Sequence, residues 1–341
     1  MTNKNCQGCG APLQNTDINK IGYVVDLNHE ICRRCFRLKH YGDASVIKKD
    51  EVILRDLLSE LKNVEGTLVL LIDLLNYDVR ILDMMETHFK DRPLILCITK
   101  SDLLPETLSR EKIKRMVNLS LASRKIDHLM VAVTSLKSKP SIENLKRMLS
   151  RTRGNLIFIG MANAGKSSLI NAITDSNALT VSAFPHTTLK INKVDFEGRN
   201  LYDTPGFKLQ GYLEKLSLKD ASDYAVLKPL KAKTYQISET QTYIIAPFIV
   251  LTITPSEPMS VTFYLSQTCP FHRSGKHAVD YLEKHHPEMV KMKSEIRYNK
   301  LDESTDVVFS GLGWMSLKGK AESIIIQTEL KSEITLRKAL L

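Results

Sequence analysis

The sequence predicts an α/β fold in which a mostly parallel β-sheet carries helices on both faces, between a small cysteine module and an α+β C-terminal domain. Three observations predict this arrangement. Short apolar runs alternate with amphipathic, helix-length segments between residues 67 and 174, as expected for buried parallel strands and the helices that cover them. A glycine-rich stretch, Gly160–Ser167, follows one of these runs, and two Cys-x-x-Cys pairs lie near the start of the chain.

Length and charge set the first limits on function. The chain has 341 residues, which at roughly 100–200 residues per domain predicts two or three domains. Its 43% hydrophobic content is ordinary for a globular protein. The formal net charge of +10 favours a polyanionic partner such as RNA or DNA. A basic cytosolic protein without such a partner is the alternative.

Neither a membrane span nor a signal peptide is predicted. The longest apolar run, near Ile244–Leu251, is interrupted by Pro247 and is much shorter than the ~20 residues that a spanning helix needs. The first residues of the chain lack the apolar core of a signal peptide. We therefore expect a cytoplasmic protein whose cysteines stay reduced.

Four cysteines have the spacing of a zinc site. Cys6 and Cys9 form one Cys-x-x-Cys pair, Cys32 and Cys35 form another, and 22 residues separate the pairs. A two-residue gap lets both sulfurs of a pair reach one tetrahedral ion at about 2.3 Å. A redox pair and chance spacing are the alternatives. We expect a zinc module over residues 1–45, where the metal supplies the folding energy that so small a core lacks.

The other two cysteines differ from these four. Cys97 lies in an apolar run and is predicted to be a buried core thiol. Cys269 has no partner cysteine nearby in the sequence. The histidines around it lack clean ligand spacing and are interpreted as surface or interface residues: His272, His277, His285 and His286.

Residues 46–212 form the predicted α/β domain, which begins with a helix-like stretch at Val46–Leu61. Apolar runs predict buried strands at Thr67–Asp73, Leu94–Thr99, His128–Thr134 and Leu156–Gly160. Amphipathic segments predict helices at Val79–Phe89, Leu108–Lys125, Ser141–Ser150 and Lys166–Thr174. A turn at Glu197–Arg199 predicts a hairpin of Lys190–Phe196 with Asn200–Tyr202.

The pattern changes beyond residue 212. Short strands are predicted at Tyr243–Thr254, Ser260–Leu265 and Glu322–Thr328, with one helix at Ala278–Met292. Residues 213–341 are therefore expected to form a separate α+β domain.

The stretch Gly160–Ser167 fits the P-loop pattern G-x-x-x-x-G-K-[ST] and lies between a predicted strand and a predicted helix. Its backbone N–H groups and the helix N-terminus would hold phosphate oxygens. Lys166 would reach the β- and γ-phosphates, and the Ser167 hydroxyl would bind Mg²⁺. The alternative is a glycine-rich turn with a solvated lysine. The predicted phosphate-binding set is Gly160, Asn163, Ala164, Gly165, Lys166, Ser167 and Ser168.

A second phosphate-side motif is the stretch Asp203-Thr204-Pro205-Gly206, about 40 residues after the P-loop. Asp203 can hold Mg²⁺ through water, and the Gly206 amide can contact the γ-phosphate. This motif alone would indicate only a turn, but its distance from the P-loop favours a nucleotide site. Between the two lies Pro185–Thr188, where a threonine typically completes the Mg²⁺ shell; a plain loop is the alternative.

The stretch Thr99-Lys100-Ser101-Asp102 follows a predicted buried strand and has the character of a base-reading loop. A carboxylate at Asp102 would accept two hydrogen bonds from guanine N1 and N2, which adenine cannot supply. We therefore expect GTP and GDP as ligands, with contacts from Thr99, Lys100 and Asp102. A helix cap at Ser101 or Asp102 is compatible with this role. Ser135, in the loop Thr134–Lys137 after the next strand, is expected to contact the base mostly through the backbone.

The order of these motifs resembles that of the circularly permuted GTPases, because the base motif precedes the P-loop. With a cysteine module in front, and with the stretches Cys32–Tyr41 and Phe309–Trp314, the chain resembles the YqeH family. The resemblance implies a P-loop GTPase-type, circularly permuted fold and a GTPase that acts in assembly of the small (30S) ribosomal subunit. It implies ribosomal RNA rather than DNA as partner, and a monomer in the free form. The family usually has asparagine at position 99 and glycine at position 186, and the segment Asp73–Val79 departs from its pattern.

The resemblance also assigns catalytic roles. Phe207 occupies the position of the glutamine that orients water in many GTPases. The resemblance therefore implies a different way to stabilise the reaction, in which Asn163 binds a K⁺ ion beside the phosphates. A structural hydrogen bond is the alternative role for Asn163. By its position in the family pattern, Thr188 completes the Mg²⁺ shell. The expected catalytic set is Asn163, Lys166, Thr188 and Gly206.

In a circularly permuted chain, the segment after Gly206 leads directly into the C-terminal domain, so a change at the phosphates can be passed to that domain. We expect nucleotide state to control how the basic outer domains bind RNA. The alternative is a nucleic-acid-binding scaffold whose GTP or GDP site is structural and does not hydrolyse. An ATP-dependent enzyme is a third possibility, which Asp102 disfavours.

Overall fold

A computed structural model of the protein describes most of the chain. The chain divides into two compact units, one of residues 1–74, 80–102 and 117–209, and one of residues 75–79, 103–116 and 210–341. Among the described helices, none is long and apolar enough to cross a membrane. The described residues are 4, 6, 11–18, 20, 22–33, 36, 57, 60–61, 64–76, 79–176, 179, 191–206, 224, 226–245, 249–274, 284, 294–301, 305–328 and 334–339.

Between residues 67 and 203 the structure describes strands and helices in the alternating order that the sequence predicts. The strands are β1 (Thr67–Asp73), β2 (Leu94–Thr99), β3 (Met130–Val133), β4 (Leu156–Gly160), β5 (Asn192–Phe196) and β6 (Arg199–Asp203). The helices are α1 (Val79–Phe89), α2 (Arg110–Ser123), α3 (Lys139–Ser150) and α4 (Lys166–Ile173), and short 3-10 turns lie at Leu74–Asn76 and Ser101–Leu103.

These six strands form one sheet in the order β3-β2-β1-β4-β6-β5. All neighbours are parallel except β5, which pairs antiparallel with β6. Every residue of β1, β2 and β4 is buried, because helices cover both faces of a parallel sheet. The carboxyl ends of these central strands, at Asp73, Thr99 and Gly160, therefore share one edge of the sheet, which is where ligands bind in such folds.

The element ends differ from the sequence prediction in a few places. Helix α3 begins at Lys139 rather than Ser141, because Pro140 fits the first helical turn, where no backbone N–H is needed. Helix α2 begins after Ser109, whose Oγ accepts a hydrogen bond from the Lys112 N–H at 3.2 Å as in an N-terminal cap. Strand β3 is shorter than predicted at both ends. Most of the predicted helix Val46–Leu61 lies outside the described residues.

The second unit differs most from the prediction. Its described part is mostly strands rather than the expected α+β mixture. The predicted strand Tyr243–Thr254 is instead two antiparallel strands with residues 246–248 between them. The predicted helix Ala278–Met292 lies outside the described residues except for Lys284. The strands are β7 (Lys231–Ile237), β8 (Gln241–Ile245), β9 (Ile249–Pro255), β10 (Met259–Leu265), β11 (Phe271–Arg273), β12 (Glu295–Leu301), β13 (Thr305–Phe309), β14 (Gly313–Lys318), β15 (Ala321–Thr328) and β16 (Ile334–Lys338).

These strands form two five-stranded antiparallel sheets, in the orders β16-β13-β14-β10-β7 and β11-β8-β9-β15-β12. One apolar core includes buried residues of both sheets, such as Val261 and Phe263 of β10 and Leu251 of β9. Alternate residues of β10, namely Met259, Val261 and Phe263, belong to this core, as expected for strands with one face turned to a shared interior.

Candidate nucleotide-binding site

The P-loop has the backbone geometry that phosphate binding requires. Strand β4 ends at Gly160, helix α4 begins at Lys166, and Gly165 between them has a left-handed φ of 88°. Asn163 also has a positive φ, 62°. A Cβ at Gly160 would lie 2.4 Å from the Leu71 carbonyl oxygen of neighbouring β1, so only glycine fits there. The loop is held in this shape by its glycines, and its N–H groups lie at the N-terminus of α4.

Lys166 lies buried inside this loop. Its Nζ donates hydrogen bonds to the carbonyl oxygens of Gly160 and Met161, at 3.0 and 2.9 Å. Burial lowers the pKa of Lys166 to about 8, although the charge of Asp203 acts in the opposite direction. Phosphate oxygens beside the ammonium would favour its charged form and raise that pKa again.

Two of the three residues predicted to hold Mg²⁺ are in direct contact. The Ser167 Oγ donates a hydrogen bond to Asp203 Oδ2 at 2.7 Å, and Asp203 is fully buried at the end of β6. A hydroxyl and a carboxylate side by side are hard oxygen donors of the kind that Mg²⁺ prefers, with phosphates and waters completing its shell. These residues therefore fit the ion. Thr188, the third predicted ligand, lies outside the described residues.

Gly206 lies directly against the P-loop. A Cβ at this position would be 2.7 Å from the Ala162 Cα and 3.0 Å from Lys166 Nζ. The preceding Thr204 is buried and donates its Oγ1 hydrogen to the Phe158 carbonyl of β4 at 2.8 Å. The stretch Asp203–Gly206 is thus fixed to the P-loop strand and reaches the phosphate side of the site. Phe207 lies outside the described residues.

Asp102, predicted to read the base, is held by two neighbours from the loop after β3. Ser135 Oγ donates to its Oδ1 at 2.6 Å, and Lys137 Nζ lies 3.0 Å from its Oδ2. Burial alone would raise the pKa of Asp102, but hydrogen bonds from Ser135 and Lys137 outweigh it and lower the pKa below its ordinary value. The carboxylate is therefore ionised and able to accept hydrogen bonds from guanine. The Ser135 side chain thus supports Asp102, and its expected backbone contact with the base stays a prediction.

Thr99 and Lys100 connect the base loop to its surroundings. Thr99 is buried, and its Oγ1 donates a hydrogen bond to the Ala164 carbonyl of the P-loop at 2.8 Å. Lys100 has a positive φ of 55°, and its Nζ lies 2.8 Å from Asp73 Oδ2 at the end of β1. Sequence reasoning missed Asp73, whose place beside Thr99 is set by the register of β1 with β2.

The cysteine module is described only in part. Cys6 and Cys32 are both buried, and the Cys32 N–H donates a hydrogen bond to Cys6 Sγ at 3.1 Å. Hydrogen bonding to sulfur favours the thiolate, the form that binds zinc. Cys9 and Cys35 lie outside the described residues, and within the described ones no group of three or more metal-binding side chains occurs. The two described cysteines are brought together as the zinc prediction requires, but the site itself stays a prediction.

The two remaining cysteines are core residues. Cys97 is fully buried in β2, and burial raises the pKa of its thiol to about 12, which confirms the predicted core thiol. Cys269 is also buried, with its pKa raised to about 12 by burial. His272 is half-buried on β11, and His277, His285 and His286 lie outside the described residues.

Comparison with known proteins supports this site. Residues 155–253 match the family model described as a 50S ribosome-binding GTPase. The Bacillus subtilis (strain 168) protein YqeH is 25% identical over 98% of this chain and 99% of its own length. The chain therefore resembles the YqeH-like, circularly permuted GTPases over nearly its whole length. With the P-loop, Asp203 and Asp102 at one sheet edge, this YqeH-like chain is a GTPase that hydrolyses GTP.

Further relatives of this YqeH-like GTPase are longer proteins. The NO-associated protein 1 of Arabidopsis thaliana is 29% identical over 70% of this chain and 49% of its own length. The GTPase Der of Xanthomonas oryzae pv. oryzae is 34% identical over 41% of this chain and 31% of its own length. The chain thus spans about half the length of the plant protein and about a third of the length of Der.

Proposed function

We propose that the chain is a GTP-hydrolysing switch in assembly of the small (30S) ribosomal subunit, and that its nucleotide state controls binding to RNA or to the ribosome. The observation that carries the switch is the convergence of Asp102, Lys166 and Asp203 at the carboxyl ends of β1–β4 and β6. The ribosomal role is supported by the description of the matching family model and by the net charge of +10. The proposed location of this activity is the cytoplasm.

The proposed division of labour follows three domains: a zinc module at residues 1–45, the GTPase domain at 46–212 and an RNA- or ribosome-binding domain at 213–341. Cys9 and Cys35 would complete a four-thiolate zinc site with Cys6 and Cys32, since the Cys32 backbone N–H already donates to Cys6 Sγ at 3.1 Å. The zinc would serve as a staple for a small core formed by Ala11, Leu13, Val24 and the two described cysteines.

In the proposed reaction, the residues of the chain hold the nucleotide and balance its charge. Lys166 and the N-terminus of α4 stabilise the phosphates, and the Gly206 amide contacts the γ-phosphate. Mg²⁺, bound through Ser167, Asp203 and Thr188, would neutralise part of the charge that develops as the γ-phosphate leaves. Asp102 selects guanine, and Ser135 and Lys137 keep its carboxylate ionised.

Asn163 is proposed to bind a K⁺ ion. Its side chain is exposed and its positive φ turns the P-loop at this point. An amide oxygen at the mouth of the loop is a suitable ligand for a monovalent cation beside the phosphates, where the positive charge would act in place of an arginine finger.

Cosedimentation with purified ribosomal subunits tests the proposed function. The full chain would be mixed with small or large subunits in the presence of GDP or a non-hydrolysable GTP analogue. We expect binding to the small subunit that differs at least about fivefold between the two nucleotides, since coupling of 1–3 kcal/mol is typical of switches. Equal binding in both nucleotide states would contradict the proposed switch. Binding to the large subunit alone would contradict the 30S assignment and favour the 50S partner that the description of the family model names.

A further inference from the structure

Both oxygens of the Asp102 carboxylate contact side chains of the protein itself. Ser135 Oγ donates to Oδ1 at 2.6 Å, and Lys137 Nζ lies 3.0 Å from Oδ2. The backbone N–H of Asp102 also bonds to its own carboxylate. A carboxylate offers about four lone-pair positions in all. The protein therefore fills most of the acceptor capacity that a guanine base would use.

Guanine would present two donors to this carboxylate, one from N1 and one from N2. Together with the three donors from the protein, they exceed the about four positions that the carboxylate offers. One donor from the protein must therefore give way when guanine binds. Which one leaves depends on how firmly each is held by the loop after β3.

Ser135 is held firmly. It is buried, and its backbone N–H donates to Ser141 Oγ at 3.1 Å. The same Ser141 hydroxyl donates to the Ser135 carbonyl oxygen at 2.9 Å. Ser135 Oγ also accepts the backbone N–H of Lys137 at 3.1 Å. Removing the Ser135 hydroxyl from Asp102 would therefore disturb the whole loop and the start of α3.

The side chain of Lys137 is held much less firmly. It is 69% exposed, whereas the Asp102 side chain that it contacts is only 23% exposed. A lysine ammonium is strongly hydrated and lies at the end of a flexible stem. An exposed ion pair of this kind contributes little to stability, since water replaces the lost contact. Lys137 is therefore the donor that can leave Asp102 while the rest of the loop stays in place.

We propose that Lys137 is a displaceable counter-ion of Asp102, which guanine must replace and which therefore weakens nucleotide binding. This role rests on the proposed function of Asp102 in reading guanine. When the base departs, the ammonium returns to Oδ2 and stabilises a partly buried carboxylate that would otherwise lose its partner. A lysine that instead stayed on Oδ2 to support the carboxylate would strengthen binding, so the two roles predict effects of opposite sign.

The test measures GDP affinity of the full chain by calorimetry in the presence of Mg²⁺. Lys137→Met keeps the alkyl stem and removes the charge. Lys137→Arg should pair with Asp102 more strongly, because a guanidinium can donate two hydrogen bonds to one carboxylate. The matched control is Lys139→Met, which removes an exposed charge two residues further along the chain. Thermal unfolding reports whether each variant is folded.

We expect Lys137→Met to bind GDP about two- to fivefold more tightly than wild type, the range that follows from releasing an exposed ion pair. Lys137→Arg should bind GDP more weakly, and Lys139→Met should stay near wild type. The difference between Lys137→Met and wild type should shrink when NaCl is raised to about 0.5 M, because salt screens an exposed pair. Salt acts on the phosphate contacts of both proteins alike.

Unchanged or weaker GDP binding by Lys137→Met would overturn the counter-ion role, and weaker binding would show that Lys137 supports Asp102. Asp102→Asn, measured alongside, separates this failure from a failure of the proposed base reading. If Asp102→Asn loses GDP affinity while Lys137→Met gains none, only the counter-ion role is wrong. If Asp102→Asn keeps full GDP affinity, Asp102 does not read guanine and both proposals fall.

Discussion

Thr99 Oγ1 donates a hydrogen bond to the Ala164 carbonyl oxygen at 2.8 Å, which joins the guanine-reading loop to the phosphate-binding loop. The YqeH family usually has asparagine at this position. The structure shows a buried hydroxyl that connects the two loops. Thr99 therefore acts as a positioning residue, since it fixes the distance between the base and phosphate ends of the site.

Replacing Thr99 with valine tests this positioning role. Thr99→Val keeps the shape but leaves the buried Ala164 carbonyl without its donor, at a cost of about 1–3 kcal/mol. We expect GDP affinity to fall roughly tenfold by calorimetry, whereas Thr99→Ser, which keeps the hydroxyl, should stay near wild type. Equal affinity of the valine and serine variants would show that the bond does not position the loop.

Changing Asp102 to asparagine should alter base preference. An amide offers guanine a donor where N1 and N2 need acceptors, whereas xanthine accepts such a donor at its own position 2. We expect Asp102→Asn to lose about 100-fold or more in GDP affinity and to prefer xanthosine diphosphate. Asp91→Asn, at an exposed turn, is the control and should leave both affinities unchanged. An unaltered preference would mean that another group reads the base.

The lowered pKa of Lys166 predicts proton uptake on nucleotide binding. Burial places this pKa at about 8 in the free protein, and phosphate oxygens should raise it. At pH 8 about half of the free protein lacks the proton, so binding should take up about half a proton, and almost none at pH 6.5. Calorimetry in buffers of different ionisation enthalpy measures this uptake.

The same shift has a consequence for stability. The folded pKa lies below the ordinary value of 10.5, so the unfolded chain binds more protons between about pH 8 and 10.5. The Lys166 contribution to stability without nucleotide should therefore increase as the pH rises through this range. Proton uptake that does not change between pH 6.5 and 8 would contradict the depressed pKa.

Potassium should accelerate GTP hydrolysis by the wild-type protein. If the Asn163 amide binds this ion, phosphate release in K⁺ should exceed that in Na⁺ at equal ionic strength, by tenfold or more on the scale of a partial arginine finger. Asn163→Ala should remove the difference while GDP affinity stays within about threefold. If Asn163→Ala still responds to K⁺, residues other than Asn163 must bind the ion.

Zinc removal should unfold the N-terminal module and leave the nucleotide site intact. We expect about one zinc per chain by metal analysis, and Cys6→Ser or Cys32→Ser should lower this content because thiolates are the ligands. GDP binding by the chelator-treated protein should remain close to that of the untreated protein. Full zinc content in both serine variants would exclude a site at these cysteines.

The central strands of the first unit could be predicted from the sequence to the residue. The bounds of β1, β2 and β4 coincide with those of three apolar runs, because burial on both faces leaves little room for polar residues. The P-loop and the base motif could likewise be recognised, because their chemistry demands particular residues in a fixed order.

The second unit could not be predicted in this way. Strands such as β7 and β12 carry charged residues at the edges of sheets, where apolar alternation is lost. Strands β8 and β9 appeared as one run because both are rich in apolar residues. In the site itself, the contact of Lys100 with Asp73 depends on strand register, and no local pattern in the sequence reports which strand ends become neighbours.

Gly160 of β4 lies beside Leu71 of β1, so the nucleotide pocket joins strands that are made at different times as the chain is translated from its N-terminus. Strand β1 is translated before β4, so the half of the pocket that recognises the base leaves the ribosome ahead of the half that grips phosphate. Once Gly206 has emerged, every described pocket residue is present, although the sheets of the second unit are still unmade. A nascent chain stalled at that point should already capture fluorescent GDP, so the nucleotide could act as a folding template before the rest of the protein exists.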